Sequence, residues 1–262
     1  MVSMKDQSLA QKRRRMSKWL RRLGGADEQS SEPPEEEGAL DCLIREHLSD
    51  ELGRRQALQA LRILGQEFVD WNEVRVTRDG ELAKMMGELG VTVERAGRLR
   101  GVLGALFERT NGLSLDHLRG KPHHEIDALM GALGVSRRAA SATALRALGA
   151  NVLTVEVGAL RVLRRLEAVE APSADEALEE LSLVVAASDR ADFYRLFAGH
   201  GRRVCTERAP SCPECVLLSD CPTGRARKAS KTKRGRPAAT GKRSGKASKT
   251  QSTKAGTTEQ RG

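Results

Sequence analysis

Between residues 40 and 200, apolar residues recur at steps of three and four, the repeat of helices that bury one face. Leu58, Leu61 and Leu64 form an imperfect stripe, with Ile63 beside it. A second stretch, Val93–Thr110, is cleaner and sets Leu99, Val102, Leu103, Leu106 and Phe107 on one side. Residues 126–133 and 137–148 predict a pair of helices joined by Gly134, Val135 and Ser136. Ser173, with Glu176 three residues on, is a capping box that predicts a helix to about Ala186. Asp189 is a candidate cap for a last helix carrying Phe193, Leu196 and Phe197. No stretch combines strict alternation with β-branched enrichment, so the predicted fold class is all-α.

The pattern fades at both ends. Residues 1–38 join a basic patch at 12–22 to an acidic stretch bearing Ser and Pro that ends at Glu37. Such a segment has little apolar surface to offset its ordering entropy, so it is predicted to be mostly disordered. A short amphipathic helix around residues 16–23 is compatible with it, since Trp19, Leu20 and Leu23 sit at helical spacing. Residues 223–262 lack periodicity and predict a disordered basic tail.

Charge is distributed accordingly. The tail holds 13 Lys and Arg against the single acid Glu259, a net of +12. The chain as a whole carries +10 over 262 residues, so residues 1–222 sum to −2. The basic balance invites a nucleic-acid reading, and any such face on the folded part must arise from local clustering. No run approaches the roughly 18 apolar residues that span a bilayer, and no apolar segment follows the basic patch as in a secretory leader. The expectation is a cytoplasmic, nucleoid-associated protein.

Of five cysteines, four crowd into one short stretch as Cys205, Cys212, Cys215 and Cys221, spaced by six, two and five residues. That crowding suits a metal or cluster site in a reducing compartment better than a disulfide framework. Four thiolates can hold a [4Fe–4S] cube. A zinc ion is the rival, although such sites more often use two C-x2-C pairs. Cys42 stands apart and reads as a small buried hydrophobe.

The cysteine spacing, preceded by His200, Gly201 and Arg202, resembles the C-terminal cluster loop of endonuclease III and its relatives, the iron–sulfur branch of the helix–hairpin–helix DNA glycosylases. The resemblance spans roughly residues 40–222. It implies a two-lobed helical fold, with a six-helix barrel lobe at 54–155 and an iron–sulfur lobe built from 39–53 and 156–222. It also implies a [4Fe–4S] cofactor and duplex DNA as partner, bound by a monomer. Arg202, Arg203 and Arg208 would present the basic loop at 205–221 to DNA.

Residues 128–140 resemble the family's hairpin, which aims backbone N–H groups and a helix N-terminus at a phosphate. Gly134, Val135, Ser136, Arg137 and Arg138 are the candidate DNA contacts, with Gly134 allowing the tight turn. Ser136 stands where the family usually has its last hairpin glycine, and it can cap the next helix.

Strand-cleaving members place a nucleophilic lysine at the position that is Arg138 here. A guanidinium stays protonated and cannot form a Schiff base. The family's catalytic aspartate falls on Glu156, one methylene longer. It reads equally as a carboxylate at a helix N-terminus. Asn72, within a loop beside Trp71, is the expected counterpart of the residue that fills the gap left by a flipped base.

These residues predict an endonuclease III-like DNA-binding protein of base-excision repair type without lysine-dependent lyase activity. Two alternatives stay open. One is a monofunctional glycosylase that uses Glu156, and the other is a non-catalytic architectural protein whose basic tail supplies the affinity.

Overall fold

Side-chain caps set where several helices begin. Asp70 accepts from the backbone of Asn72 and Glu73, Thr92 from Arg95, Ser136 from Ala139, and Ser173 from Glu176. Each of these residues satisfies an N–H that a helix start would otherwise leave bare. Asp189 precedes its helix without making a side-chain cap bond. The expected cap there is replaced by a single 3-10 turn at Ala187–Asp189.

The computed structural model describes residues 8–27 and 38–234. In chain order its α-helices are α1 (Leu9–Asp27), α2 (Ala39–Leu52), α3 (Arg54–Glu67), α4 (Trp71–Val76), α5 (Asp79–Met86) and α6 (Val93–Thr110). They continue with α7 (His123–Ala132), α8 (Arg137–Ala147), α9 (Val157–Arg165), α10 (Ala174–Ser182), α11 (Arg190–Arg203) and α12 (Pro222–Arg234). No strand occurs among the described residues.

The buried residues form two hydrophobic cores. One runs from Ala39 to Val152 and is built around Leu43, Ile44, Leu48, Leu64, Leu82, Leu99, Leu103, Leu106, Ile126 and Met130. The other combines Met16, Trp19, Leu20 and Leu23 of α1 with residues from Val155 to Cys221. The chain crosses from the first core to the second between Val152 and Val155.

Several expectations change. Helix α2 sends Leu43, Ile44 and Leu48 into the first core, against α3 and α8, although residues 39–53 were expected in the iron–sulfur lobe. On α3 the fully buried face is Ala57, Ala60 and Leu64, so two alanines let α2 approach where the leucine stripe suggested bulk. The N-terminal segment contains a long helix where mostly disorder was expected. Trp19 is wholly buried, and α1 lies along α11. Burying one indole together with Met16 and Leu23 stabilises α1 by several kcal/mol, about 1.5–3 per large apolar side chain. The basic tail begins as α12, which docks on α9 and the cysteine loop. The remainder of both expected disordered segments lies outside the described residues.

Helices α9 and α11 cross at two glycines. A Cβ on Gly201 would lie 2.6 Å from the backbone of Gly158, so α11 tolerates no side chain at that position. This close approach brings the end of α11, and the cysteine loop after it, onto α9.

Candidate DNA interface and metal centre

The cysteine loop hangs from the C-terminus of α11. Its first turn is closed by Cys205 N–H donating to the His200 carbonyl at 2.8 Å, and Ser211 N–H returns to Val204 at 2.9 Å. Short 3-10 turns at Cys212–Glu214 and Leu218–Asp220 fold the rest inward. Cys205, Cys212, Cys215 and Cys221 line one cavity, walled also by Val204, Pro210 and Leu218. All four are free thiols, and Cys42 is buried far along the chain in the other core.

No three His, Cys, Asp or Glu side chains among the described residues converge closely enough to hold one metal ion. The four sulfurs instead ring a shared space. Four thiolates around one cavity are a donor set that a [4Fe–4S] cube or a zinc ion could take. N–H donors also reach the sulfurs. Gly224 N–H donates to Cys221 Sγ at 3.2 Å, and an Arg165 Nη to Cys205 Sγ at 3.2 Å. Burial pushes the Cys215 thiol up to about 11 and raises Cys221 as well, so ligation must displace protons.

Three further groups hold this loop, and sequence reasoning missed all of them. Arg161 donates to the carbonyls of Cys205 (3.0 Å) and Gly201 (2.7 Å). Arg165 donates to the carbonyls of Thr206 (2.8 Å) and Glu207 (2.9 Å). Asp220, next to Cys221, accepts from Trp19 Nε1, Lys18 and Arg22 of α1, each at about 3.1 Å. Burial works against the Asp220 charge, but Lys18 and Trp19 outweigh it and hold the carboxyl below its ordinary range. Arg161-x3-Arg165 on a helix with an apolar face was the available sign, since two arginines on one face imply a common partner. Of the residues expected to face DNA, Arg203 and Arg208 are exposed, while Arg202 forms an ion pair with Glu156 at 2.8 Å.

The hairpin joins α7 to α8. Gly134 has φ +75°, a left-handed conformation that glycine adopts without steric cost. Val135 is buried and anchors the turn, its N–H donating to Met130 at 3.1 Å, while Gly134, Ser136 and Arg137 are exposed. An open hairpin tip followed by a capped helix N-terminus is a geometry that can receive a phosphate.

Arg138 turns toward α2. Its Nη1 donates to Glu46 Oε2 at 2.7 Å, its Nη2 to the Glu46 carbonyl at 2.7 Å, and its Nε to Asp50. Ser136 Oγ donates to the same Asp50 carboxylate. Glu46 is 2% exposed and also pairs with the fully buried Arg45 at 2.9 Å. Burial opposes the Glu46 charge, yet Arg138 and Arg45 more than offset it and lower its pKa. For Arg138, burial is likewise outweighed by Glu46 and Asp50, and its pKa is raised. Charged residues at 45 and 46, inside the apolar run of α2, were the signal that this partner existed.

Glu156 occupies the N-cap position of α9 but makes no cap bond, and its carboxylate faces Arg202 instead. Asn72 lies exposed on α4, which packs on α6, and its side-chain oxygen accepts from Arg75 at 2.7 and 3.0 Å. Trp71 is held by Asp41 at 2.7 Å. The residues placed beside the hairpin are Glu46 and Asp50 rather than Asn72.

No family model matches the chain. Endonuclease III of Synechocystis sp. is 23% identical over 188 residues, which is 71% of this chain and 82% of that protein. Among solved structures, a trapped endonuclease III–DNA covalent intermediate superposes with a TM-score of 0.69 at 19% identity, covering 82% of this chain and 98% of the other. The chain has the fold of the endonuclease III superfamily. A thermostable thymine-DNA glycosylase shares this superfamily fold, with a TM-score of 0.63 at 17% identity over 83% of this chain and 98% of its own. No helix among the described residues is long and apolar enough to cross a membrane.

Proposed function

We propose that the protein binds duplex DNA through its hairpin and cysteine loop, in the manner of base-excision repair proteins, and has no lysine-dependent lyase step. The observation that carries this reading is the occupation of Arg138. Its guanidinium is spent on Glu46 and Asp50, and it has no lone pair with which to attack an abasic sugar. The exposed tip at Gly134, Ser136 and Arg137 supports the DNA-binding half, together with Arg203 at the end of α11 and Arg208 on the cysteine loop. Cys205, Cys212, Cys215 and Cys221 would hold a [4Fe–4S] cluster. When bound, it would act as a structural staple for the loop, whose shape is set by Arg161 and Arg165 of α9 and by its contacts with α1. The protein would work as a monomer in the cytoplasm, associated with the nucleoid.

Borohydride reduction in the presence of abasic duplex tests the lyase directly, with no covalent adduct expected. A panel of damaged duplexes tests the second half. Base release that disappears in Glu156→Gln would favour a monofunctional glycosylase, a reading opposed by the engagement of Glu156 with Arg202. Loss of all DNA binding on removing residues 235–262, the part of the basic tail beyond α12, would favour the architectural alternative driven by the tail.

A further inference from the structure

The acid at the hairpin has an unfavourable position in its own helix. Asp50 lies in the last turn of α2, which carries no basic residue there, so the dipole of α2 opposes its charge. What stabilises it is the neighbouring helix start. Its carboxylate accepts from the hydroxyl of Ser136, the N-cap of α8, and from Nε of Arg138 in the first turn of the same helix. Asp50 is itself a solvent-exposed residue, with a side chain 27% exposed. An anion supplied by the protein therefore sits at the start of the helix that follows the exposed hairpin tip.

We infer that Asp50 is an acidic latch, occupying the hairpin's anion seat in the free protein and giving way to a DNA phosphate on binding. The inference rests on the reading of residues 134–138 as a DNA contact. The geometry allows the exchange without unfolding anything, because Arg138 keeps both of its bonds to Glu46 when Asp50 turns away. Release frees the Ser136 hydroxyl and Arg138 Nε, two donors that a phosphate oxygen can use. The latch raises the threshold for binding, so the hairpin engages only DNA that offers contacts enough to displace it.

The test is the affinity of the full-length, iron-loaded protein for a short abasic duplex, measured across a salt series. Wild type is compared with Asp50→Asn, Asp50→Ser, the neighbouring Glu51→Gln and Arg137→Ala. Glu51 pairs with Arg95 and Arg98 on α6, so Glu51→Gln removes one nearby charge without touching the hairpin. Both Asp50 variants are expected to bind roughly tenfold tighter. Their log–log salt dependence should steepen by about one phosphate contact. Glu51→Gln is expected to stay within about twofold of wild type. Unchanged affinity in both Asp50 variants, or an equal gain in Glu51→Gln, overturns the latch and leaves only a diffuse charge effect. Arg137→Ala separates the two readings. If it weakens binding while the Asp50 variants are neutral, the hairpin contact stands and the latch falls. If it has no effect, the hairpin reading fails and the latch fails with it.

Discussion

The cysteine loop and the hairpin are both organised by arginines, but the arginines have opposite partners. At the loop, Arg161 and Arg165 donate to main-chain carbonyls and to one cysteine sulfur, so they shape a segment with little secondary structure of its own. At the hairpin, Arg138 and Arg45 are matched by carboxylates of α2 in a buried ion-pair lattice. The first arrangement leaves the four thiols turned toward a common cavity and available as ligands. The second commits the guanidinium of Arg138 to α2. The four cysteines thus share one cavity, while Arg138 is part of the packing between α2 and α8.

The comparison breaks most visibly at the thiols. Cys212→Ser is expected to abolish the iron content and visible absorption of the purified protein, since three thiolates leave one iron of a cube without its protein ligand. Full iron retention in that variant would show that the cavity is not the cofactor site.

The lattice gives the next largest effect. Glu46→Ala leaves Arg45 buried without that partner and strips two bonds from Arg138, and it should cost about 3–5 kcal/mol of stability by denaturant titration. The folded pKa of Glu46 lies below its unfolded value. Its contribution is therefore complete above the ordinary carboxylate range and is lost as pH falls through the folded value. Glu46→Gln should flatten that acid limb, and an unchanged limb would place the acid sensitivity elsewhere.

Helix α1 supplies a smaller test on the loop side. Trp19→Phe keeps the buried ring but removes the bond to Asp220, and it is expected to cost about 1.5–3 kcal/mol. It should also quicken loss of visible absorption during air exposure, because Asp220 adjoins Cys221. Equal decay rates in the two proteins would separate α1 from the loop. Ser136→Ala is expected to have the least effect, about 0.5–2 kcal/mol for a lost cap, and thermal melting would measure it.

Much of this was legible before the fold was seen. Val93–Thr110 shows a clean helical repeat and matches α6 to the residue. Ser173 caps α10 as its motif predicts, although the helix ends at Ser182 rather than near Ala186. Cysteine spacing pointed to the thiols that share a cavity. What remained hidden depends on contacts distant in sequence. Trp19, Leu20 and Leu23 suggested only a short helix at 16–23, because the partner of Trp19, Asp220, lies far along the chain. Asp50 and Glu46 lie about 90 residues from Arg138, and only the crossing of α2 with α8 brings them together. The partner of Asn72 is local, Arg75 on the same helix.

The most direct test is borohydride trapping of the iron-loaded protein on abasic duplex, with binding measured on the same sample. The account expects a retained complex that dissociates under denaturing conditions, with no covalent adduct. A stable protein–DNA adduct would contradict it and reveal an amine that does what Arg138 cannot.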